Sequence, residues 1–298
     1  MSRVILFFAV FFIAGPVLFA QSARYKLKRS QTFYVPEEVE ETSGLFFWKG
    51  ELFTHNDSGG ENKLYSLDTM GGEIKRRIPV PGAVNRDWEA VTVSDSILYI
   101  GDFGNNSAKR KDLTIYITDL RKLGDSLPGL DSIRFHYPEQ TNFEKQKRTH
   151  NFDCEAMVVF KDTVYLYSKS WADGITRIRT VPAKPGNYAT QERGSFNAGG
   201  LITDAAFNTE QKLLVLVGYN LDTPVLQPFI WLFRTSHPGK VNVGSGVRVS
   251  LSPEFTQIEG VTFLPSGKLA ITAEGVSNKW IDIAPALFLV SPSELVDF

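Results

Sequence analysis

Five short stretches of this 298-residue chain place a small polar or acidic residue, then a small residue, ahead of an apolar run. They are Ser43-Gly44-Leu45-Phe46-Phe47, Glu89-Ala90-Val91-Thr92-Val93, Glu155-Ala156-Met157-Val158-Val159, Asp204-Ala205-Ala206-Phe207 and Glu259-Gly260-Val261-Thr262-Phe263. Four of the leading residues are acids, and Asp87 and Asp153 stand two residues before two of the glutamates. Acids gathered around one narrow axis cannot all ionise unopposed, because like charges at short range raise one another's pKa unless a cation compensates. Carboxylate and amide oxygens without a His or Cys partner suit hard cations, Ca²⁺ more than Mg²⁺ where six or more oxygens converge. Glu89, Glu155, Asp204 and Glu259 are therefore the expected metal ligands. The alternative is that each acid accepts backbone N–H bonds in its own turn, with Lys169 or water relieving the ring.

The spacings between these leading residues are 46 (89−43), 66 (155−89), 49 (204−155) and 55 (259−204), the lengths of propeller blades. Each copy continues through a polar turn into a second apolar run, at 52–55, 98–102, 164–169, 213–219 and 269–274. A third run follows at 64–67, 113–118, 176–181, 229–234 and 286–290, and four copies add a fourth at 74–80, 132–137, 190–196 and 247–251. No stretch holds a helical apolar period, so the chain reads as β throughout. The fifth copy ends after its third strand, while 31–35 forms a leftover strand ahead of the first. Pairing the two leftovers closes a five-bladed β-propeller and removes the open edges of a linear array. The 66-residue spacing leaves six blades as the runner-up, and two β-sandwiches would also show many short strands. A sandwich pair would not require the repeated signature.

In a propeller the loop leading into each first strand and the loop between the second and third strands open on one face. The second loop set carries Asn56, Asp57, Asp102, Asn105, Asn106, Lys169, Trp171 and Glu274. Together with Asp87 and Asp153, these are the candidates for a ligand-binding face. Lys145 to Arg148 reads as a solvated loop.

Arg3, the apolar run 4–13, the break at Gly15-Pro16 and the small residues Ala20 and Ala23 form a secretory signal pattern, with cleavage expected after one of those alanines. A single propeller domain over 24–298 would follow, in the periplasm or outside the cell. No later segment is long and apolar enough to span a membrane. A net charge of −1 gives no sign of a nucleic-acid surface. With Cys154 as the one cysteine, no internal disulfide can form. Neither a Gly-x-Ser-x-Gly elbow, a His-Glu-x-x-His motif nor a phosphate-binding glycine loop is present.

Ser43-Gly44-Leu45, followed by Asp87-Trp88-Glu89-Ala90-Val91 and again by Asp153-Cys154-Glu155-Ala156-Met157, resembles the SdiA-regulated propeller family. It also looks like the wider group of esterase-like phytases, regucalcin and strictosidine synthase. The glycine usual after the glutamate is kept only as Gly260. The resemblance implies a divalent cation at the channel mouth and places Glu89, Glu155 and Glu259 there. Activities in that group differ, so three functions compete. One is a metal-binding module recognising a small molecule, glycan or protein. Another is a metal-dependent hydrolase of an ester, lactone or phosphoester with Glu89 or Glu155 as base. The third is an assembly scaffold.

Overall fold

The computed structural model describes residues 22–69, 72–220, 226–252, 256–277 and 282–296. The apolar leader lies outside the described residues, as do Leu221, Asp222 and Asn278. Among the described residues, no helix is long and apolar enough to cross a membrane.

The apolar runs form antiparallel sheets, and burial sorts their strands by distance from the axis. Leu201–Asn208 and Leu213–Asn220 are buried almost end to end, as continuous apolar runs should be. The outer strands Ile74–Pro79, Asp131–His136 and Gln191–Asn197 alternate or face water. Blade 1 is Thr42–Trp48, Glu51–Asn56, Lys63–Leu67 and Ile74–Pro79, ordered from the inside out. Blade 2 is Trp88–Ser94, Ile97–Asp102, Leu113–Asp119 and Asp131–His136. Blade 3 is Cys154–Phe160, Thr163–Ser168, Ile175–Pro182 and Gln191–Asn197. Blade 4 is Leu201–Asn208, Leu213–Asn220, Gln227–Arg234 and Val247–Ser252.

Blade 5 contains Ile258–Phe263, Leu269–Ala273 and Ala286–Val290, and takes its outermost strand, Thr32–Tyr34, from the other end of the chain. Phe33 sits opposite Leu287 in that antiparallel pair, which is the closure the two leftover strands require. Each innermost strand touches the innermost strands of both neighbouring blades, in a closed circle of five.

Five apolar clusters fill the wedges between blades. Phe53 meets Leu98 between blades 1 and 2, and Ile133 meets Met157 between 2 and 3. Tyr167 meets Trp231 between 3 and 4, Val215 meets Ile271 between 4 and 5, and Leu287 meets Leu52 across the closure. Each fully buried Leu or Phe contributes about 1.5–3 kcal/mol, so the wedges hold the ring without a disulfide, Cys154 being free.

No sixth blade occupies the 66-residue step. Residues 137–153 form a strandless connection fastened to the loop after Asp102 by Gln140 Nε2 to Ala108 O at 2.8 Å and Gln146 N to Ser107 O at 3.0 Å. Two outer strands escape a repeat-based reading because both pair in parallel with distant chain. Ser22–Lys26 adds to blade 4 and Gly186–Ala189 to blade 2.

Candidate functional site

Every blade begins with the same local break. The innermost strand slips register against the second strand at Ser43/Phe46, Trp88/Ala90, Cys154/Ala156, Ile202/Asp204 and Ile258/Gly260. A β-bulge leaves a residue outside the ladder and re-aims its side chain. In blades 2, 3, 4 and 5 the skipped residue is Glu89, Glu155, Thr203 and Glu259. Blade 1 skips Gly44-Leu45, with Gly44 at φ 63°, where a Cβ would come within 2.7 Å of Val91 N.

The three bulge glutamates reach one cavity of about 180 Å³ at the channel mouth, shared with Asp57, Lys169 and Trp171. Carboxylate oxygens of Asp57, Asp87 and Glu89 lie within 4.8 Å of one another, and so do oxygens of Glu89, Asp153 and Glu155. Glu89 belongs to both groups. It is 2% exposed, and its Oε1 has no hydrogen-bond partner. Asp57 Oδ1 is likewise buried and unpartnered. Gly104 lets the backbone pass directly over Asp87 and Glu89. A Cβ there would stand 2.1 Å from Glu89 Oε1 and 2.5 Å from Asp87 Oδ2.

Crowding of buried acids sets the electrostatics. Burial, then Asp57 and Glu155, pushes Glu89 well above the usual carboxylate range. Burial carries Asp57 to about 6 and Asp87 to about 7, the latter with Asp57 and Asp153 adding to it. Glu259 is also raised to about 7 by burial, against the pull of Lys169. One ammonium answers part of this charge. Lys169 pairs with Glu155 and lies 5.2 Å and 5.3 Å from the Trp171 and Tyr219 ring centroids. Burial opposes its charge, but Glu155, Tyr219, Glu259 and Glu89 outweigh burial and hold Lys169 ionised.

The remaining acids from the sequence take structural positions. Asp204 is displaced by one residue from the bulge, so its carboxylate accepts N–H bonds from Ala205 at 2.8 Å and Val261 at 2.7 Å, outside the cavity lining. This is the turn-capping alternative, realised in blade 4. Asp153 stands between the two roles: Oδ1 accepts from Asn105 N at 2.7 Å and Cys154 N, and Oδ2 from the Trp171 indole at 2.8 Å. Asp102 accepts from Asp87 N and pairs with Arg110 at 3.0 Å. Asn105 ties Phe152 O to Arg110 N, and Asn56 donates to Glu38 O while its Oδ1 stays buried and unpartnered. Asn106 lines the cavity. Glu274 lies behind Glu259, bonded to Gln257 and pushed up by burial and Glu259.

Sequence reasoning passes over four groups. Thr203 takes the fourth bulge and donates to Ile258 O at 2.5 Å. Tyr219 and Gln257 line the cavity. Arg148, read as solvated loop, is exposed but sits on the cavity rim, its guanidinium 4.5 Å from the Trp171 ring centroid. Only the length of the connection carrying Arg148 pointed to it.

No protein-family model and no curated protein matches the chain. Solved structures do. Glutaminyl cyclase from Myxococcus xanthus superposes with a TM-score of 0.50 at 12% identity, covering 91% of this chain and 97% of that one. An exo-β-1,3-galactanase from Clostridium thermocellum gives 0.53 at 10% identity, over 88% of this chain and 61% of that one. At such identities the likeness extends to the fold alone. The chain is a five-bladed β-propeller. Within that fold, the SdiA-regulated resemblance rests on its short motifs.

Proposed function

We propose that this propeller is exported and binds a divalent cation at its acidic channel mouth, Ca²⁺ in preference to Mg²⁺, to recognise a ligand there. The observation that carries this reading is the bare Oε1 of Glu89, buried between two groups of carboxylates. An unpaired buried acid is costly unless it neutralises or meets a cation. Glu89, Asp57, Asp87, Asp153 and Glu155 supply oxygens only, which suits a hard ion. Two softer donors nearby are engaged elsewhere. The Cys154 thiol faces Tyr167 O at 3.4 Å and is pushed up by burial. His150 accepts from Phe152 N at Nδ1, leaving Nε2 to donate to Asn106 O. The bound ion would neutralise the acids and offer a positive centre to an incoming oxygen. The same place is implied by the likeness of Asp87-Trp88-Glu89 and Asp153-Cys154-Glu155 to the SdiA-regulated family.

Melting of the purified protein in chelator, Ca²⁺ and Mg²⁺ tests this. At a Ca²⁺ concentration of 100 Kd the gain is about 2.7 kcal/mol. Glu89→Gln should lose that response, yet melt above the cation-free wild type because no carboxylate at that position then has to be neutralised on burial. Wild-type melting that ignores chelator and both ions ends the reading.

A hydrolytic reading has one observation in its favour. Glu259 faces the cavity but stands outside both carboxylate groups, and burial carries it to about 7, suited to a general base. Glu155, pinned by Lys169, is poorly placed for that role. Chelator-sensitive turnover of an aryl ester, lactone or phosphodiester that vanishes in Glu259→Gln would establish it; no turnover leaves the binding module.

A further inference from the structure

Arg148 stands apart from the other arginines of the ligand face. Arg110 is paired with Asp102 and Asp112 at 3.0 and 3.2 Å, and Arg177 with Asp173 at 2.7 Å. Among the described residues Arg148 has no ion-pair or hydrogen-bond partner, although it borders a cavity walled by acids. Its position is nevertheless fixed. The backbone turns there at φ 51°, and the guanidinium lies over Trp171, whose indole is anchored on Asp153. On either side, Gln146 N bonds Ser107 O and His150 Nε2 bonds Asn106 O at 3.1 Å. A guanidinium held in place, stacked and unpaired at a cavity rim presents a planar fork for two oxygens of one group.

Resting on the cation reading above, we infer that Arg148 is the anion-recognising residue of the mouth. The ligand carries an oxyanion, a carboxylate or phosphoryl group, with one oxygen on the bound cation and another on the Arg148 guanidinium. Without the cation, Asp57, Glu89 and Glu259 on the cavity wall repel such a group, so cation and anion bind with positive coupling. That coupling is reciprocal: each raises the affinity of the other by the same factor. The cavity, at about 180 Å³, is smaller than the roughly 300–1,000 Å³ that enclose a whole drug-sized ligand. It therefore takes the charged head of the ligand and leaves the remainder outside.

Calorimetry with phenyl phosphate and with benzoate, on Ca²⁺-loaded and on chelator-treated protein, tests the inference and separates the two oxyanions. At least one of them should bind the Ca²⁺-loaded form, and at least tenfold more weakly after chelation. Arg148→Gln should lower that affinity tenfold or more without weakening Ca²⁺ binding in the absence of anion, and Arg148→Lys should fall between. Because Arg148 is exposed, both variants should melt with the wild type. If Ca²⁺ binds but neither anion does, or if Arg148→Gln keeps the anion affinity, the role of Arg148 is overturned and the cation site stands. If Ca²⁺ itself does not bind, both are overturned.

Discussion

The two mouths of the channel are built by the same five strands and differ in chemistry. At one end the strands begin, and acids crowd a small cavity around Glu89. At the other they finish in hairpins, where Phe47, Trp48, Val93, Phe207 and Phe263 stand with Thr92, Asp95 and Thr262 around an opening of about 320 Å³. Their local construction differs as well. The hairpin end is made of tight turns that place Lys49, Asp95, Lys161, Lys212 and Gly267 at positive φ, keeping the strands in register. The acidic end is made of bulges that abandon register to aim one side chain inward. Regular pairing builds a wall, and interruption of pairing builds a site.

The sharpest way to break this contrast is to remove the cation already present at the acidic end. Lys169→Met strands Glu155 in a buried setting, and loss of one member of a buried pair costs about 3–5 kcal/mol. Chemical denaturation in chelator at pH 8 should show that loss, with Ca²⁺ restoring part of it. An unchanged midpoint would mean that Lys169 does not counter the acids.

A smaller effect follows from pH. Asp57, Asp87 and Glu259 titrate at about 6, 7 and 7 in the fold, against ordinary values of 3.8, 3.8 and 4.5. Between about pH 4 and 7 the native state therefore binds more protons than the unfolded chain, and their contribution to stability declines as pH rises through that window. Cation-free protein should melt higher at pH 5 than at pH 8, and saturating Ca²⁺ should narrow the gap. A cation-free Tm that climbs from pH 5 to 8 would contradict the crowding.

The smallest change belongs to the hairpin end. Phe207 is half-buried, with its ring edge-on to Phe160 at 5.4 Å. Phe207→Ala should cost about 1–2 kcal/mol and leave the Ca²⁺-induced melting shift intact. Loss of that shift would join the two mouths into one site.

The hairpin end and the ring were legible in the residues because both follow local rules: apolar runs, polar turns and matched leftover strands at 31–35 and 286–290. The acidic end was legible by residue type but not by phase. Glu89, Glu155 and Glu259 fall on the bulge, yet Asp204 lies one residue past it, because a bulge shifts register without changing the apolar pattern that surrounds it. Arg148 and Gly104 acquire meaning only through contacts between loops, with Trp171 and with the Asp87–Glu89 carboxylates, and no spacing along the chain encodes those. The parallel outer strands Ser22–Lys26 and Gly186–Ala189 were hidden for the same reason.

Anomalous diffraction from crystals grown with a lanthanide in place of Ca²⁺ would test the centre of this picture most directly. A peak within coordination distance of Glu89 Oε1, flanked by Asp57 or Asp87 and by Asp153 or Glu155, is the predicted result. Full ion occupancy elsewhere, with Glu89 left bare, would contradict it.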